Sequence, residues 1–163
     1  MPHSQDPETT FQLPSDLDIV TTHMLPAQSN LVFQAYTNPA IISQWWGRKS
    51  KKTVVEKLEL KPGGAWRFLQ YDEVGNETGF HGEFHTIQDM ELLSYTMEWE
   101  AFPDIHGFET IEFKQVDHKT KVKGTTHFNS FEDREKILQT GFENALRESM
   151  ERLTEILEKR ELL

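Results

Sequence analysis

Apolar and polar residues alternate along most of the chain up to residue 128, which is the pattern of β-strands that bury one face. The clearest case is segment 92–101, in which the odd positions from Leu93 to Trp99 are apolar and the even positions are polar. Similar patterns, separated by proline and glycine turns, predict strands over 18–25, 53–60, 65–71, 78–87, 92–101, 107–116 and 120–128. Short turns between successive strands predict an antiparallel sheet.

The spacing of apolar residues becomes helical in three places. Segments 28–36 and 39–46 form a predicted helix pair, with Pro39 at a favoured first position and Gly47 as a stop. A single amphipathic helix is predicted from Phe131 to Arg160, capped by Ser130, with Gly141 either leaving room for a ligand or allowing close packing on a strand. A final helix must bury its apolar stripe against the sheet, so we predict an α+β domain in which a helix grips a curved sheet.

The composition limits the classes of partner. The 163 residues predict one domain over 16–163, preceded by a flexible tail over 1–15. A net charge of −10 argues against nucleic acid and anionic membranes. The absence of cysteine excludes disulfides, thiolate metal sites and cysteine nucleophiles. Because no signal peptide or membrane span is readable, we expect a cytoplasmic protein.

Several spaced motifs indicate a family. They are AYTNP at 35–39, WWG at 45–47, KPGGAW at 61–66, FHGEF at 80–84 followed by Leu93, Tyr95 and Trp99, and GFENAL at 141–146. Together they resemble the family of activator of heat-shock-protein-90 ATPase homologues, in the START-like (SRPBCC, or Bet v-like) superfamily. The resemblance implies a helix-grip fold with a hydrophobic cavity between the sheet and the last helix. It leaves function open, since lipid carriers, hormone receptors, polyketide cyclases and aromatases, and chaperone cofactors share this scaffold.

Alternation predicts which side chains line such a cavity, because inward residues stand opposite solvated charges on each strand. The last helix supplies the other wall, and the resemblance puts the helix pair at the mouth. The predicted ligand-binding residues are Trp45, Trp46, Trp66, Phe68, Gln70, Phe80, Phe84, Tyr95, Met97, Trp99, Ile111, Phe113, Phe142, Leu146 and Met150. The same pattern is compatible with a filled core, so both interpretations stay open.

No recognisable catalytic group is visible. Acidic and histidine residues fall mostly on predicted outward positions, and the chain has neither a phosphate-binding loop nor a nucleophile elbow. His81, Glu83 and His85 share one strand face, but three ligands on a flat strand converge poorly, so we predict no metal and no cofactor. The basic run 48–52 is interpreted as a solvated loop, with an anion or partner contact as the alternative.

The sequence-based hypothesis is a protein that binds a small hydrophobic or aromatic ligand. Polar residues expected to orient the ligand are Gln70, Tyr95, Gln115, Thr126 and Ser149. A cyclase- or aromatase-like enzyme, in which Tyr95 assists proton transfer in the same pocket, is the first alternative. A chaperone cofactor acting through its surface is the second, ranked lower because the chain has the length of about one domain. A homodimer is compatible with the pattern but is not decided by it.

Overall fold

The computed structural model describes residues 9–161, within which eight antiparallel strands form one sheet and four helices pack beside it. The strands are β1 (Thr9–Gln12), β2 (Asp18–Leu25), β3 (Lys52–Leu58), β4 (Ala65–Tyr71), β5 (Glu77–Gln88), β6 (Leu92–Trp99), β7 (His106–Val116) and β8 (Lys119–Phe128). The helices are α1 (Ser29–Thr37), α2 (Pro39–Trp45), α3 (Phe131–Leu138) and α4 (Phe142–Glu161). The predicted α+β helix-grip architecture is confirmed.

The strand order is β1-β2-β8-β7-β6-β5-β4-β3, so the helix pair between β2 and β3 connects distant parts of the sheet. The predicted strand 18–25 matches β2, and each of the six later strands begins and ends within two residues of its prediction. Register shifts between Val55 and Lys57 in β3, and between Phe84 and Thr86 in β5, interrupt the ladders. Bulges of this kind increase local twist, so they contribute to the curvature of the sheet.

Strand β1 corrects the prediction of a tail over residues 1–15. Thr9–Gln12 pair with β2 from Thr9↔His23 to Gln12↔Val20, and the Nη1 atom of Arg147 donates to the Thr9 carbonyl at 3.2 Å. The segment is short and lacks a long alternating pattern, so its conformation depends on the ladder with β2 rather than on local sequence. Residues 1–8 of the predicted tail lie outside the described residues.

The prediction of one helix from Phe131 to Arg160 is wrong, because the chain breaks between α3 and α4. Gly141 has a φ of 91°, a left-handed conformation that commonly ends helices. A Cβ at Gly141 would lie 2.5 Å from Nη2 of Arg48, so the space beside this glycine is occupied by Arg48 rather than by a ligand or a strand. The predicted cap is confirmed, since Ser130 Oγ accepts from the Asp133 amide at 3.0 Å.

The core consists of two apolar clusters. One is built around α1, α2 and α4 and includes Leu153 and Leu157, whereas the other includes Trp66 and Phe128. Tyr95 contacts both clusters. The main backbone contacts of α4 are with β1, β2 and the other helices, which leaves space between α4 and the middle of the sheet.

Within residues 9–161, no helix combines the length and apolarity that a membrane crossing requires.

Candidate functional site

A cavity of about 360 Å³ lies between the sheet and α4. Residues from α1, α2, α4 and all eight strands form its wall, and most of them are apolar or aromatic. Its volume falls within the ~300–1,000 Å³ typical of small-molecule sites. The space between the two core clusters is therefore large enough for a small organic molecule.

Fourteen of the fifteen residues predicted from alternation and resemblance border this cavity. They are Trp45, Trp46, Trp66, Phe68, Gln70, Phe80, Phe84, Tyr95, Met97, Trp99, Ile111, Phe142, Leu146 and Met150. Phe113 is the exception, because its ring packs edge-on against Phe33 and Tyr36, with centroids 5.3 and 5.2 Å apart. The structure thus places Phe113 in the core under α1 rather than on the cavity wall. That the other residues bind a ligand stays a prediction.

Interlocked aromatic rings make one wall of the cavity. The Trp66 ring lies 4.9 Å from that of Phe68 and 5.6 Å from that of Tyr95, and its Nε1 atom donates to the Thr96 carbonyl at 3.3 Å. A Cβ at Gly82 would come within 2.6 Å of Trp66 Nε1, so glycine at this position lets the indole lie against β5. Contacts on several sides hold the rings in fixed orientations, as expected for a preformed site.

Gln70 and Ser149 also border the cavity, but their polar atoms hold the loop that follows α2. Gln70 Nε2 donates to Thr53 Oγ1 at 3.0 Å, and its Oε1 accepts from the Arg48 amide at 3.3 Å. Ser149 Oγ accepts from the Gly47 amide at 2.9 Å. Their hydrogen bonds therefore position the loop, which reduces their capacity to orient a ligand.

Gln115 lies away from the cavity, at the end of β7. Its Oε1 accepts from the backbone amide of Ser29 at 2.8 Å, and its Nε2 donates to the Asp117 carbonyl at 2.7 Å. The bond from Ser29 satisfies a free donor at the start of α1. The expectation that Gln115 contacts a ligand is corrected accordingly.

A half-buried carboxylate that the sequence analysis missed, that of Glu109, faces the cavity from β7. The Tyr95 hydroxyl donates to Glu109 Oε1 at 2.9 Å, and the Thr126 hydroxyl donates to Oε2 at 3.1 Å. The three residues are direct neighbours across β6, β7 and β8. Glu109 stands two positions before the inward Ile111, so alternation along β7 was the signal that could have identified it.

Burial controls the protonation of this polar group. It raises the pKa of Glu109, although the hydrogen bonds from Tyr95 and Thr126 act in the opposite direction. Burial, followed by the charge of Glu109, raises the pKa of Tyr95 well above its usual value. Tyr95 is thus held as a neutral hydroxyl that donates to Glu109. Any proton transfer between this pair and a substrate would start from this arrangement.

His23 and Tyr36 also border the cavity. His23 is 4% exposed, its Nε2 atom lies 3.1 Å from Thr154 Oγ1, and its Nδ1 atom contacts Thr9 Oγ1. Burial lowers the pKa of His23 to about 4, so the ring is neutral near pH 7. The Tyr36 hydroxyl has the Met150 thioether as its hydrogen-bond partner, at 3.8 Å.

Part of the basic run 48–52 belongs to the cavity wall rather than to a solvated loop. Arg48 and Lys51 both border the cavity. The guanidinium of Arg48 donates to the Thr140 carbonyl, and Lys51 Nζ donates to Thr78 Oγ1 at 3.4 Å. These contacts connect the loop after α2 to the start of α4 and to β5.

The histidines of β5 are engaged outside the cavity. His81 Nδ1 lies 2.8 Å from Glu100 Oε2, and His85 Nδ1 lies 3.0 Å from Thr86 Oγ1. In the part of the chain from residue 9 to residue 161, no group of three or more His, Cys, Asp or Glu side chains is arranged to hold a metal ion.

Comparison with known families identifies the family to which the chain belongs. The sequence model of the family described as activator of Hsp90 ATPase homolog 1-like protein matches residues 26–158. The chain belongs to this family. As a member of the Hsp90-activator-homolog family, it has a START-like helix-grip fold, as its motifs predict, and this is in general a ligand-binding fold.

Solved structures from bacteria share the fold of this family member at low sequence identity. A Rhodobacter sphaeroides protein is 16% identical, with 93% of this chain and 99% of that one covered and a TM-score of 0.87. An Arthrobacter aurescens protein is 18% identical, with 92% and 91% covered and a TM-score of 0.85. Protein Ms6760 of Mycobacterium smegmatis is 20% identical, with 93% and 97% covered and a TM-score of 0.84. No curated protein matches the chain significantly in sequence.

Proposed function

We propose that this protein binds one small hydrophobic or aromatic molecule in the cavity between the sheet and α4. The observation that carries the proposal is the cavity of about 360 Å³ with its largely apolar and aromatic wall. Burial of apolar ligand surface contributes roughly 25 cal/mol per Å² before ordering costs, so a ligand that fills much of this space is held mainly by the hydrophobic effect.

Contacts within the wall support a preformed site. Trp46 packs edge-on against Phe68 and Phe80, with centroids 5.0 and 5.1 Å apart. Trp45 Nε1 donates to the Ala35 carbonyl at 3.0 Å, which fixes the second indole of the pair. Since these rings are already ordered, a ligand that enters loses little free energy to reorganisation of the wall.

Blocking the cavity tests the proposal. Ala145 borders the cavity from α4, whereas its neighbour Asn144 is exposed to solvent. The neutral dye N-phenyl-1-naphthylamine, whose fluorescence rises in apolar surroundings, is titrated into the wild type, Ala145→Phe and Asn144→Phe. We expect saturable binding at one site, weakened at least about tenfold in Ala145→Phe and unchanged in Asn144→Phe, because only the first phenylalanine takes up ligand space.

Either of two results would contradict the proposal. The wild type would show no saturable dye binding, or the two phenylalanine variants would weaken it equally. Thermal unfolding of each variant separates blocked binding from lost folding.

A second candidate, an enzyme of the cyclase or aromatase kind, is favoured by the hydrogen bond of 2.9 Å between the Tyr95 hydroxyl and the Glu109 carboxylate. The probe is a poly-β-ketone analogue that cyclises slowly by itself. An enzyme would accelerate the cyclisation and lose most of the acceleration in Tyr95→Phe, since general acid–base groups contribute roughly 10²–10⁴-fold. A carrier would leave the rate unchanged and retain most of its affinity in the same variant.

The chaperone role in the family's name stays the second alternative, a homodimer stays undecided, and a cytoplasmic location stays a prediction. Stimulation of the ATPase of purified Hsp90 by the purified protein is the direct test of the first.

A further inference from the structure

Two of the polar groups on the wall of the cavity keep hydrogen-bonding capacity that the described residues 9–161 do not use. They are the Glu109 carboxylate on β7 and the Tyr36 hydroxyl on α1, and both border the cavity. Both have partners among the described residues, and a ligand that uses their remaining capacity would gain hydrogen bonds in surroundings where unsatisfied polar groups are costly.

Glu109 has acceptor capacity left. A carboxylate offers about four lone-pair sites. The hydroxyls of Tyr95 and Thr126 each take one, at 2.9 and 3.1 Å. Among residues 9–161, no lysine, arginine or histidine forms an ion pair with Glu109. The carboxylate can therefore accept a further hydrogen bond from a molecule in the cavity.

Tyr36 has donor capacity left. Its partner among the described residues is the Met150 thioether at 3.8 Å, and thioether sulfur is a weak acceptor. The Tyr36 ring is fixed between those of Trp45, with centroids 4.9 Å apart, and Phe113, with centroids 5.2 Å apart. Phe113 stands four positions after Glu109 on β7 and therefore on the same face of the strand, so Tyr36, which packs on Phe113, and Glu109 approach the cavity along one strand. Burial and the charge of Glu109 raise the pKa of Tyr36, so its hydroxyl keeps its proton.

We propose that Glu109 and Tyr36 select a ligand with a neutral hydroxyl group on its apolar body. A hydroxyl can donate its proton to Glu109 and accept the proton of Tyr36 at the same time, which satisfies both groups. A hydrocarbon can do neither, an ether can only accept, and an ammonium group can only donate. Arg48 and Lys51 on the cavity wall further disfavour a cation. This inference rests on the proposed binding function and specifies the class of ligand.

Matched naphthalenes test the inference. The probes are 2-naphthol, 2-methylnaphthalene, 2-methoxynaphthalene and the cation of 2-(aminomethyl)naphthalene, with dissociation constants measured by competition against the dye. Hydrogen bonds to charged groups contribute more than neutral ones, so the wild type is expected to bind 2-naphthol at least about tenfold more tightly than 2-methylnaphthalene.

Two variants remove one partner each. In Tyr36→Phe the hydroxyl leaves with little effect on folding, because its partner is the weakly accepting thioether. In Glu109→Gln the negative charge leaves while the shape is kept. We expect the preference for 2-naphthol over 2-methylnaphthalene to fall about threefold or more in each variant, with the affinity for 2-methylnaphthalene unchanged.

Matched controls lie outside the cavity. Tyr71→Phe removes an exposed hydroxyl that donates to Glu77 at 3.1 Å. Glu112→Gln changes an exposed carboxylate on the same strand as Glu109. Both controls are expected to keep the wild-type preference. If Glu109→Gln fails to fold, Tyr36→Phe alone decides the outcome.

Other outcomes overturn the inference in distinguishable ways. Equal wild-type affinity for 2-naphthol and 2-methylnaphthalene refutes hydroxyl selection but leaves hydrophobic binding intact. If the ammonium probe binds most tightly, the preferred ligand is a cation paired with Glu109 rather than a hydroxyl compound. If the ether binds most tightly, Glu109 takes no part in recognition. Binding of none of the four naphthalenes refutes the proposed function and this inference together.

Discussion

The existence of an open cavity predicts that two leucines on the same face of α4 respond differently to truncation. Leu146 borders the cavity, whereas Leu153, seven positions later on the helix, has 0% exposure and belongs to the cluster under α1 and α2. Both are changed to alanine. The expected losses of unfolding free energy are about 3 kcal/mol for Leu153→Ala and about 1 kcal/mol for Leu146→Ala.

The difference follows from what surrounds each side chain. Removal of a buried leucine side chain beyond Cβ forfeits roughly 2.4 kcal/mol of transfer free energy at about 0.8 kcal/mol per CH₂, and the new void adds to this cost. Leu146 is only partly buried and already faces open space. Its truncation therefore forfeits about half of the transfer free energy and enlarges an existing cavity rather than creating one.

Urea denaturation followed by tryptophan fluorescence and circular dichroism measures both losses, and coincident transitions with similar m-values establish that the comparison is valid. Ligand-free protein is used, because a bound ligand would stabilise the wild type. Equal losses for the two leucines, or a larger loss for Leu146→Ala, would mean that Leu146 packs in a filled core and would refute the cavity.

Three further predictions concern the break before α4, the buried histidine and the helix cap. Gly141→Ala places a Cβ on a residue with a φ of 91°, at 2.5 Å from Arg48 Nη2, so the unfolding free energy measured in urea should fall by about 1–2 kcal/mol. An unchanged urea midpoint would contradict the left-handed conformation of Gly141 between α3 and α4. The pKa of His23 is lowered from 6.5 to about 4 in the folded protein. Between these pH values the unfolded chain binds a proton at His23 and the folded protein does not, so the unfolding free energy falls as the pH falls. Wild-type stability should therefore decline from pH 6.5 to pH 4 more steeply than that of His23→Asn, and parallel pH profiles in urea would show that the ring is not buried in the neutral form. Ser130→Ala removes the hydroxyl that caps α3 by accepting from the Asp133 amide at 3.0 Å, and it should lower the unfolding free energy in urea by about 1 kcal/mol. Ser50→Ala, at an exposed position, should change the unfolding free energy little, and equal effects of the two substitutions would argue against the cap.

The strands were predictable because their pattern is local. Residues such as Tyr95 and Met97 alternate with polar neighbours, and that alternation reflects a sheet with one buried face. Strand β1 lacks such a pattern, since Thr9–Gln12 are extended because they pair with β2. The break at Gly141 was misread because a single glycine is compatible with a continuous helix, and only its φ of 91° identifies it as the end of one.

The residues of the cavity wall were predictable for a similar reason, including the polar Gln70, Tyr95 and Ser149, whereas the hydrogen bonds of the polar residues were not. Alternation and resemblance identify which aromatic rings face inward, but a hydrogen bond depends on where the strands bring side chains together. Glu109 acquires its role from Tyr95 and Thr126 on neighbouring strands, and Gln115 loses its expected role because it caps α1. Neither relation is encoded within one segment of the sequence.

Native mass spectrometry of freshly purified protein tests the central claim, binding of one small apolar molecule in the cavity, most directly. The account predicts an adduct at one copy per chain that is released on denaturation, that extracts as a small hydrophobic compound, and that is lost or replaced by a smaller one in Ala145→Phe but retained in Asn144→Phe. A clean ligand-free mass for the wild type, with no adduct formed after incubation with a panel of lipids and aromatic compounds, would contradict it.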